Sequence, residues 1–378
     1  MSKIVVKVGS RVLTRKEDGA LDKGVIASLV EECAYAVREQ DAEIVVVSSG
    51  AVSAGRSHLN MKDVALDYGV IKYNRIILKE QILAAVGQPD VMSCWKNEFE
   101  KYCITCGQIL TSRKAFADRA DYLSIRTVTI NLMKLGVIPV FNRNDTMSPE
   151  DIDFTDNDQL ASLVAAMLQA DKLIILTDVD GVYTGSPNDS KSKLISQINN
   201  PTKYMAGVDS SSGTGKGGMK TKLSTADLAT SLGIDVHIAN GKEEGIITKI
   251  LKSEKIGTYF PAKHTGKVKP IKFWLATAAT GEGKIIVSTY LADLLREGKA
   301  ASVLFSGIEA IEGDFNAKDV VDVCDDCGKL LGRGLIRFSS SGLREKLEEY
   351  KTLPKAKRDR SVENSLTAIH YNDFARCC

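Results

Sequence analysis

Five stretches of this chain carry residues suited to phosphate or amine chemistry, four of them after short apolar runs and one before a helix. Lys7 stands at the end of the first run and is followed by Val8-Gly9-Ser10. A lysine there reaches a phosphate while glycine lets backbone N–H groups approach. A solvated strand-end lysine has the same pattern. Ser48-Ser49-Gly50-Ala51-Val52-Ser53-Ala54-Gly55 follows the second run. Such a turn into a helix exposes amides and dipole charge to an anion; tight helix–sheet packing is the other reading. Asn142-Arg143-Asn144-Asp145, then Asp151, Asp153, Asp156, Asn157 and Asp158, form the densest polar cluster. Simple turn chemistry accounts for some of it. Binding an amino group, or orienting nearby lysines, is the functional reading.

Thr177-Asp178 follows a fifth run and is suited to a nucleotide. Gly213-Thr214-Gly215-Lys216-Gly217-Gly218-Met219-Lys220-Thr221-Lys222 is glycine-rich and basic, and precedes a helix. It can fold over phosphates, or serve as a flexible surface loop. It lacks the G-x-x-x-x-G-K-[ST] pattern, and no G-x-G-x-x-G follows the first run. Two separated lysines, glycine-rich turns and an acidic cluster together point to phosphoryl transfer. That chemistry asks for positioning and positive charge more than covalent help.

These residues need a sheet to hold them. IVVKV (4–8), EIVVVSS (43–49), ITCGQIL (104–110), VIPVF (137–141), KLIILT (172–177) and DVHIA (235–239) read as strands. Between them, 25–39, 79–86, 119–135, 158–168 and 224–232 carry helical periodicity. This alternation predicts an α/β fold, an open and mostly parallel sheet sandwiched by helices, with ligands outside the carboxyl ends of the strands. Near residue 260 the texture changes. PAKHTGKVKP (261–270) reads as a linker. GKIIVST, ASVLFSGI and VVDVCDDCGKLLGRGLIRFS then suggest a small β-rich domain, and YKTLPKAKRDRSVEN a loose polar segment. The expected organisation is a first domain over 1–262, a linker over 263–272 and a second domain over 273–378.

Composition excludes little beyond a membrane protein. Of 378 residues, 44% are hydrophobic and 26% charged, and 50 basic against 48 acidic residues give +2. No apolar run approaches the roughly 20 residues of a membrane span. The apolar start is too short for a signal-peptide core, so a cytoplasmic protein is expected. From 270 to 378 there are 16 basic and 16 acidic residues, which argues against RNA binding by charge. The C-x-x-C pairs Cys103/Cys106 and Cys324/Cys327 are too far apart for one zinc site, and reduced thiols are expected. A metal site built from Cys324, Cys327, Cys377 and Cys378 is the alternative. YCITCGQIL reads as a buried strand.

The motifs VVKVGSRVLT (5–14), SSGAVSAGR (48–56), QILAAVGQ (81–88), PVFNRND (139–145), TDNDQLASLVA (155–165), LTDVDGVYT (176–184) and GKGGMKTKLSTAD (215–227) resemble those of the amino acid kinase family. FNRND and DNDQLA are similar to its glutamate-phosphorylating members, and the second domain resembles a PUA domain. The resemblance implies the amino acid kinase fold. It implies ATP and Mg²⁺, with the cation held mainly by nucleotide phosphates. Lys7 and Lys222 would neutralise the transferring phosphoryl group, and Asp158 would hold both. Ser49, Asp145 and Asn157 would bind L-glutamate, with Gly50, Ala51 and Asn142 nearby. Thr177, Asp178 and the loop Lys216, Gly217, Gly218, Met219, Lys220, Thr221 and Lys222 would hold ATP, as would Lys7.

The same resemblance implies proline as feedback inhibitor, a homo-oligomer (dimer or tetramer) and hand-off of product to glutamyl phosphate reductase in proline biosynthesis. Acetylglutamate, aspartate or a nucleoside monophosphate are the alternative acceptors. Arg143 stands where the family tends to carry an acid, and the segment 61–81 is longer than usual. A carboxylate acceptor is already ionised at pH 7 and needs no general base. His58, His237, His264 and His370 accordingly lie outside the motifs.

Overall fold

The computed structural model describes residues 1–59, 75–146, 157–205, 218–263, 270–277, 279–352 and 367–376. The chain forms two compact units, one of Met1–Ala115 and Ala120–Lys267, the other of Phe116–Arg119 and Val268–Cys378. In chain order the first unit contains β1 (Ser2–Val8), α1 (Ser10–Leu13), α2 (Lys23–Glu39), β2 (Ala42–Val47), α3 (Ala51–His58), α4 (Arg75–Glu100) and β3 (Cys106–Thr111). Then come α5 (Arg113–Ala117), α6 (Arg119–Lys134), β4 (Ile138–Arg143), α7 (Asn157–Leu168), β5 (Lys172–Thr177), α8 (Thr202–Met205), α9 (Met219–Ser231), β6 (Asp235–Asn240), α10 (Ile246–Leu251) and β7 (Thr258–Phe260). Helix α5 ends and α6 begins in the segment Phe116–Arg119 assigned to the second unit.

The strands form one seven-stranded sheet in the order β3-β4-β2-β1-β5-β6-β7, parallel except for β7 against β6. β1 is central, paired with β2 through Lys7↔Val47 and with β5 through Lys7↔Ile175. Its last five residues are buried, as expected for a strand covered on both faces. The chain builds the sheet outward from β1 in one direction and then, from β5, in the other. The strand ends beside β1 therefore lie at the topological switch point, where open α/β sheets leave a crevice. Lys7 is the last residue but one of β1.

The helices that flank this point are set by pattern and by glycine. In α2, Ile26, Leu29, Val30 and Cys33 are buried at helical spacing, and Asp22 caps the start by accepting from the Val25 N–H. α7 is buried all round except at Gln159 and opens on Asn157 and Asp158. Gly50 caps α3 at φ +100°, a left-handed conformation that favours glycine. α3 and α4 then meet closely at two further glycines. A Cβ on Gly87 would lie 2.0 Å from the Ala51 carbonyl oxygen, and one on Gly55 would lie 2.0 Å from that of Leu83.

The second unit contains α11 (Pro270–Thr277), β8 (Gly283–Val287), α12 (Thr289–Arg296), β9 (Val303–Leu304), β10 (Ile308–Glu312), β11 (Val320–Cys324), β12 (Leu330–Leu335), α13 (Ser340–Thr352), β13 (Thr367–Ile369) and β14 (Phe374–Arg376). Its sheets run β10-β8-β11-β12-β14 and β13-β9 around a separate apolar core that includes Ile285, Val321, Phe305 and Leu343. No described helix is long and apolar enough to cross a membrane.

Several elements differ from expectation. The strand expected at 104–110 is an edge strand of mixed burial, and Cys103 lies exposed before it at φ 52°. A β-branched run does not reveal whether a second strand will cover it. The helix expected over 79–86 extends from Arg75 to Glu100 despite Pro89. β7 and α10 carry too short a pattern to be read locally. Pro270 opens a helix instead of closing a linker, and residues 264–269 lie outside the described residues. Tyr350, Lys351 and Thr352 end α13, with Tyr350 buried, so the loose segment does not begin there. Residues 353–366, Cys377 and Cys378 lie outside the described residues, as do 61–74 of the longer segment.

Candidate active site

At the head of α7, one carboxylate meets two ammonium groups. Asp158 Oδ1 lies 2.6 Å from Lys7 Nζ, and its Oδ2 lies 3.0 Å from Lys222 Nζ. Asp158 is 0% exposed, Lys7 5% and Lys222 6%. Burial by itself pushes the Asp158 carboxyl upward, but the charges and hydrogen bonds of Lys7 and Lys222 outweigh it and hold the value below the ordinary range. The three side chains come from β1, α7 and α9, and two ammoniums with one carboxylate sum to a formal +1. Positive charge is thus built into the carboxyl end of the central strand, where little water screens it.

Next to Asp158 the chemistry changes to neutral amides. Asn157 Nδ2 lies 2.8 Å from the Ser48 carbonyl, 2.9 Å from Ser49 Oγ and 3.0 Å from Asn142 Oδ1. Asn142 Nδ2 donates to Gln88 Oε1 at 2.7 Å. The Trp95 indole N–H donates to Ser48 Oγ at 2.9 Å. Two strand ends and two helices therefore share one hydrogen-bonded cluster. Ser49, Gly50 and Ala51 form the turn from β2 into α3, all buried. Asp145 stands just beyond β4, where its carboxylate pairs with Arg143 Nη2 at 2.6 Å.

On the other side of β1, Thr177 ends β5 and its hydroxyl donates to Asp178 Oδ1 at 3.3 Å. Arg11 Nη1 lies 3.2 Å from Asp178 Oδ2. Burial raises the Asp178 carboxyl, but the Arg11 hydrogen bond and charge outweigh it, so it sits below its ordinary value. Gly218 caps α9, whose first turn holds Met219, Lys220, Thr221 and Lys222. The expected phosphate loop is therefore a helix start in its second half. Gly213 to Gly217, including Lys216, and Asp151, Asp153 and Asp156 lie outside the described residues.

The structure brings Lys7, Asp158 and Lys222 together, and joins Ser49, Asn142 and Asn157. Four residues that the motifs did not single out as site residues also take part: Gln88, Trp95, Arg11 and Arg143. Arg143 had stood out only as a departure from pattern, and its geometry explains it as the partner of Asp145. Gln88 and Trp95 lie 7 positions apart on α4, on the face turned to the β2 and β4 ends. That spacing is a signal, but one equally usual for core packing.

Among the described residues, the cluster of three potential metal ligands is Asp325, Asp326 and Cys327 in the second unit. The Asp325 carboxylate already accepts from the N–H groups of Cys327 and Lys329 and pairs with Arg296. The cysteines of the described residues are free thiols. At the strand ends the donor set is lysine and amide, which fits a cation that arrives on a nucleotide rather than one caged by carboxylates. A cavity of about 690 Å³ beside α2, α3 and α4 is lined by Arg15, Lys23, His58, Asp90, Cys94 and Glu98, among others, and shares no lining residue with these clusters.

The fold and this strand-end cluster agree with family comparison. The chain belongs to the amino acid kinase family, which it matches over residues 2–240, and it matches the PUA domain over 283–352. Within the family its relatives are enzymes named glutamate 5-kinase. One from Bacteroides thetaiotaomicron is 35% identical over 359 residues, covering 93% of this chain and 96% of that one. One from Trichlorobacter lovleyi is 38% identical over 343 residues, 90% and 88% of the two chains. One from Aliivibrio salmonicida is 34% identical over 380 residues, 98% and 97%. Among solved structures, a UMP kinase from Bacillus anthracis is similar with a TM-score of 0.49 at 14% identity, covering 71% of this chain and 99% of that one.

Proposed function

We propose that this chain is an ATP-dependent kinase of the γ-carboxylate of L-glutamate, yielding glutamyl 5-phosphate and ADP. The observation that carries the reading is the pair of buried ammoniums held on Asp158. A carboxylate oxygen of glutamate attacks the γ-phosphorus in line; that P–O bond forms as the bond to the β,γ-bridging oxygen breaks, and the electron pair leaves with ADP. Lys7 and Lys222 stabilise the charge on the phosphoryl oxygens and so lower the barrier. Asp158 keeps the two lysines at a fixed separation. Ser49 and Asn157, with Gly50, Ala51 and Asn142 beside them, bind glutamate. Asp145 takes part of its ammonium group.

Thr177, Asp178 and the segment from Lys216 to Lys222 bind the nucleotide, and Lys7 reaches its terminal phosphate. Mg²⁺ on the phosphates would supply further charge neutralisation there. The catalytic domain spans 1–262 and the PUA-like domain 273–378. Proline as feedback inhibitor, a homo-oligomer and hand-off of the acyl phosphate to a glutamyl phosphate reductase complete the proposal. The names of the relatives support the glutamate reading, and the acyl phosphate's own lability supports the hand-off.

ADP release from the full-length protein, measured with glutamate, acetylglutamate, aspartate and nucleoside monophosphates, tests the substrate. Glutamate should give the highest kcat/KM, and a higher value for another acceptor overturns the assignment. The same assay with proline should show inhibition, and light scattering should give a mass of at least two chains.

A further inference from the structure

The amide cluster has a direction that can be worked out atom by atom. Two of its groups are backbone and cannot be reversed: the Arg143 N–H only donates, and the Ser48 carbonyl only accepts. The Arg143 N–H lies 2.8 Å from one terminal atom of Asn142, which must therefore be Oδ1. The Ser48 carbonyl lies 2.8 Å from one terminal atom of Asn157, which must therefore be Nδ2. That Nδ2 lies 3.0 Å from Asn142 Oδ1, so the two assignments agree.

Two consequences follow. Asn142 must turn its NH₂ toward Gln88, whose Oε1 accepts it at 2.7 Å. Asn157 must turn its own Oδ1 away from this cluster. Asn157 is 9% exposed, and its Oδ1 is shut off from solvent with no hydrogen-bond donor among the described residues. A buried acceptor without a donor is costly, so the position favours a ligand that brings an N–H.

We propose that Gln88 is a positioning residue: by accepting from the Asn142 NH₂ it holds Asn142 in the orientation the backbone dictates, and with it the Asn157 contact that leaves Asn157 Oδ1 to accept from the amino group of the substrate. The proposal rests on the glutamate reading above and adds the means by which the amino group is selected. An acceptor is required at position 88. Without one, the Asn142 NH₂ is left buried and unpaired. Reversing Asn142 is barred, because its NH₂ would meet the Arg143 N–H and the Asn157 NH₂, donor against donor, so the side chain must instead turn off these partners to pair that NH₂. Asn157 Nδ2 then loses one of its three acceptors, and Oδ1 loses its fixed aim at the ligand. An ammonium carries three N–H donors, so Asp145 and Asn157 can both accept from it. Gly87 makes the placement possible, because its missing side chain lets α4 close on the Ala51 carbonyl and carries Gln88 to Asn142.

Gln88→Glu keeps an acceptor at this position; Gln88→Leu keeps the bulk and removes it. For full-length wild type and both variants, the measurements are glutamate KM, ATP KM, unfolding midpoint and the Ki of glutarate, the same dicarboxylate without its amino group. In Gln88→Leu the ratio of glutarate Ki to glutamate KM should fall about tenfold, because only the amine contact is lost. ATP KM should stay within about twofold. Gln88→Glu should keep the wild-type ratio. A Leu variant in which glutamate and glutarate weaken together, or in which the ratio is unchanged, overturns the proposal. So does a Glu variant that behaves like the Leu variant. A wild type that does not turn over glutamate defeats the substrate reading and this proposal with it, and that result is read before any variant is made.

Discussion

Asp158 and Glu32 are both buried in the first unit, at 0% and 6% exposure, and burial pushes both carboxyls toward the neutral form. Their neighbours differ. Asp158 faces two ammonium groups and is held below its ordinary value. Glu32 is hydrogen-bonded to backbone, its Oε2 accepting from the N–H groups of Ile247 at 2.6 Å and Thr248 at 3.1 Å, with the charges of Glu31 and Lys249 acting more weakly and in opposite directions. Burial wins there, and its carboxyl is pushed up to about 7. The pair teaches that amide dipoles soften the cost of burying a carboxylate, whereas full opposite charges reverse it. It also separates the two carboxyls by place: the ionised one joins the lysines at the strand ends, and the one shifted toward its neutral form ties α2 to α10.

The sharpest way to break this comparison is Asp158→Ala. It leaves two buried lysines without their shared partner and should lower unfolding stability by about 3–5 kcal/mol in urea titration. A loss below about 1 kcal/mol would show that Asp158 does not hold the lysines. Lys222→Ala and Lys7→Ala come next. Each should lower kcat by about 10²–10³, with glutamate KM changing far less, since the charge acts on the transferring group. Turnover near wild type at either position removes that lysine from the mechanism.

Glu32→Gln tests the other half. The folded carboxyl titrates near 7 and the unfolded one near its ordinary 4.5, so the folded state holds a proton that the unfolded chain releases. Stability from this group is complete below about pH 4.5, falls as pH rises, and levels off above about 7. Wild type should lose about 3 kcal/mol relative to Glu32→Gln between pH 4.5 and pH 8. Parallel stability curves for the two proteins would contradict a neutral Glu32. The smallest effect is expected at Asp145, which is tied to Arg143. Asp145→Ala should raise glutamate KM about tenfold with little change in kcat, because the amino group is remote from the reacting oxygen. A selective fall in kcat would instead place Asp145 beside the phosphoryl group.

The fold was largely legible because parallel strands advertise themselves as β-branched runs and their connecting helices as periodic ones. The six runs read as strands all form strands of the main sheet, though the third is an uncovered edge. Lys7, Ser49, Asn142 and Thr177 were legible for a related reason, since each stands at the end of its strand or just after it, whereas Asn157, Asp158 and Lys222 open helices and were legible as a polar cluster and a glycine-rich basic stretch. Gln88 and Trp95 were not, because they sit within a long helix and reach the β2 and β4 ends only through the close α3–α4 packing. Arg11 and Asp178 are separated by 167 positions, and nothing local announces their pairing.

Sequence by itself determined the class of chemistry, since lysine, glycine and paired acids and amides at strand ends suit few reactions other than phosphoryl transfer. It also determined that β1 begins the sheet and that Lys7 lies near its carboxyl end. Tertiary structure alone decided that Lys7 and Lys222 share one carboxylate, with contacts of 2.6 and 3.0 Å. It alone decided which way the Asn142 and Asn157 amides face. Both depend on three-dimensional closure among residues up to 109 positions apart in the amide cluster, and hydrogen-bond direction is a property of the assembled partners, not of any one residue.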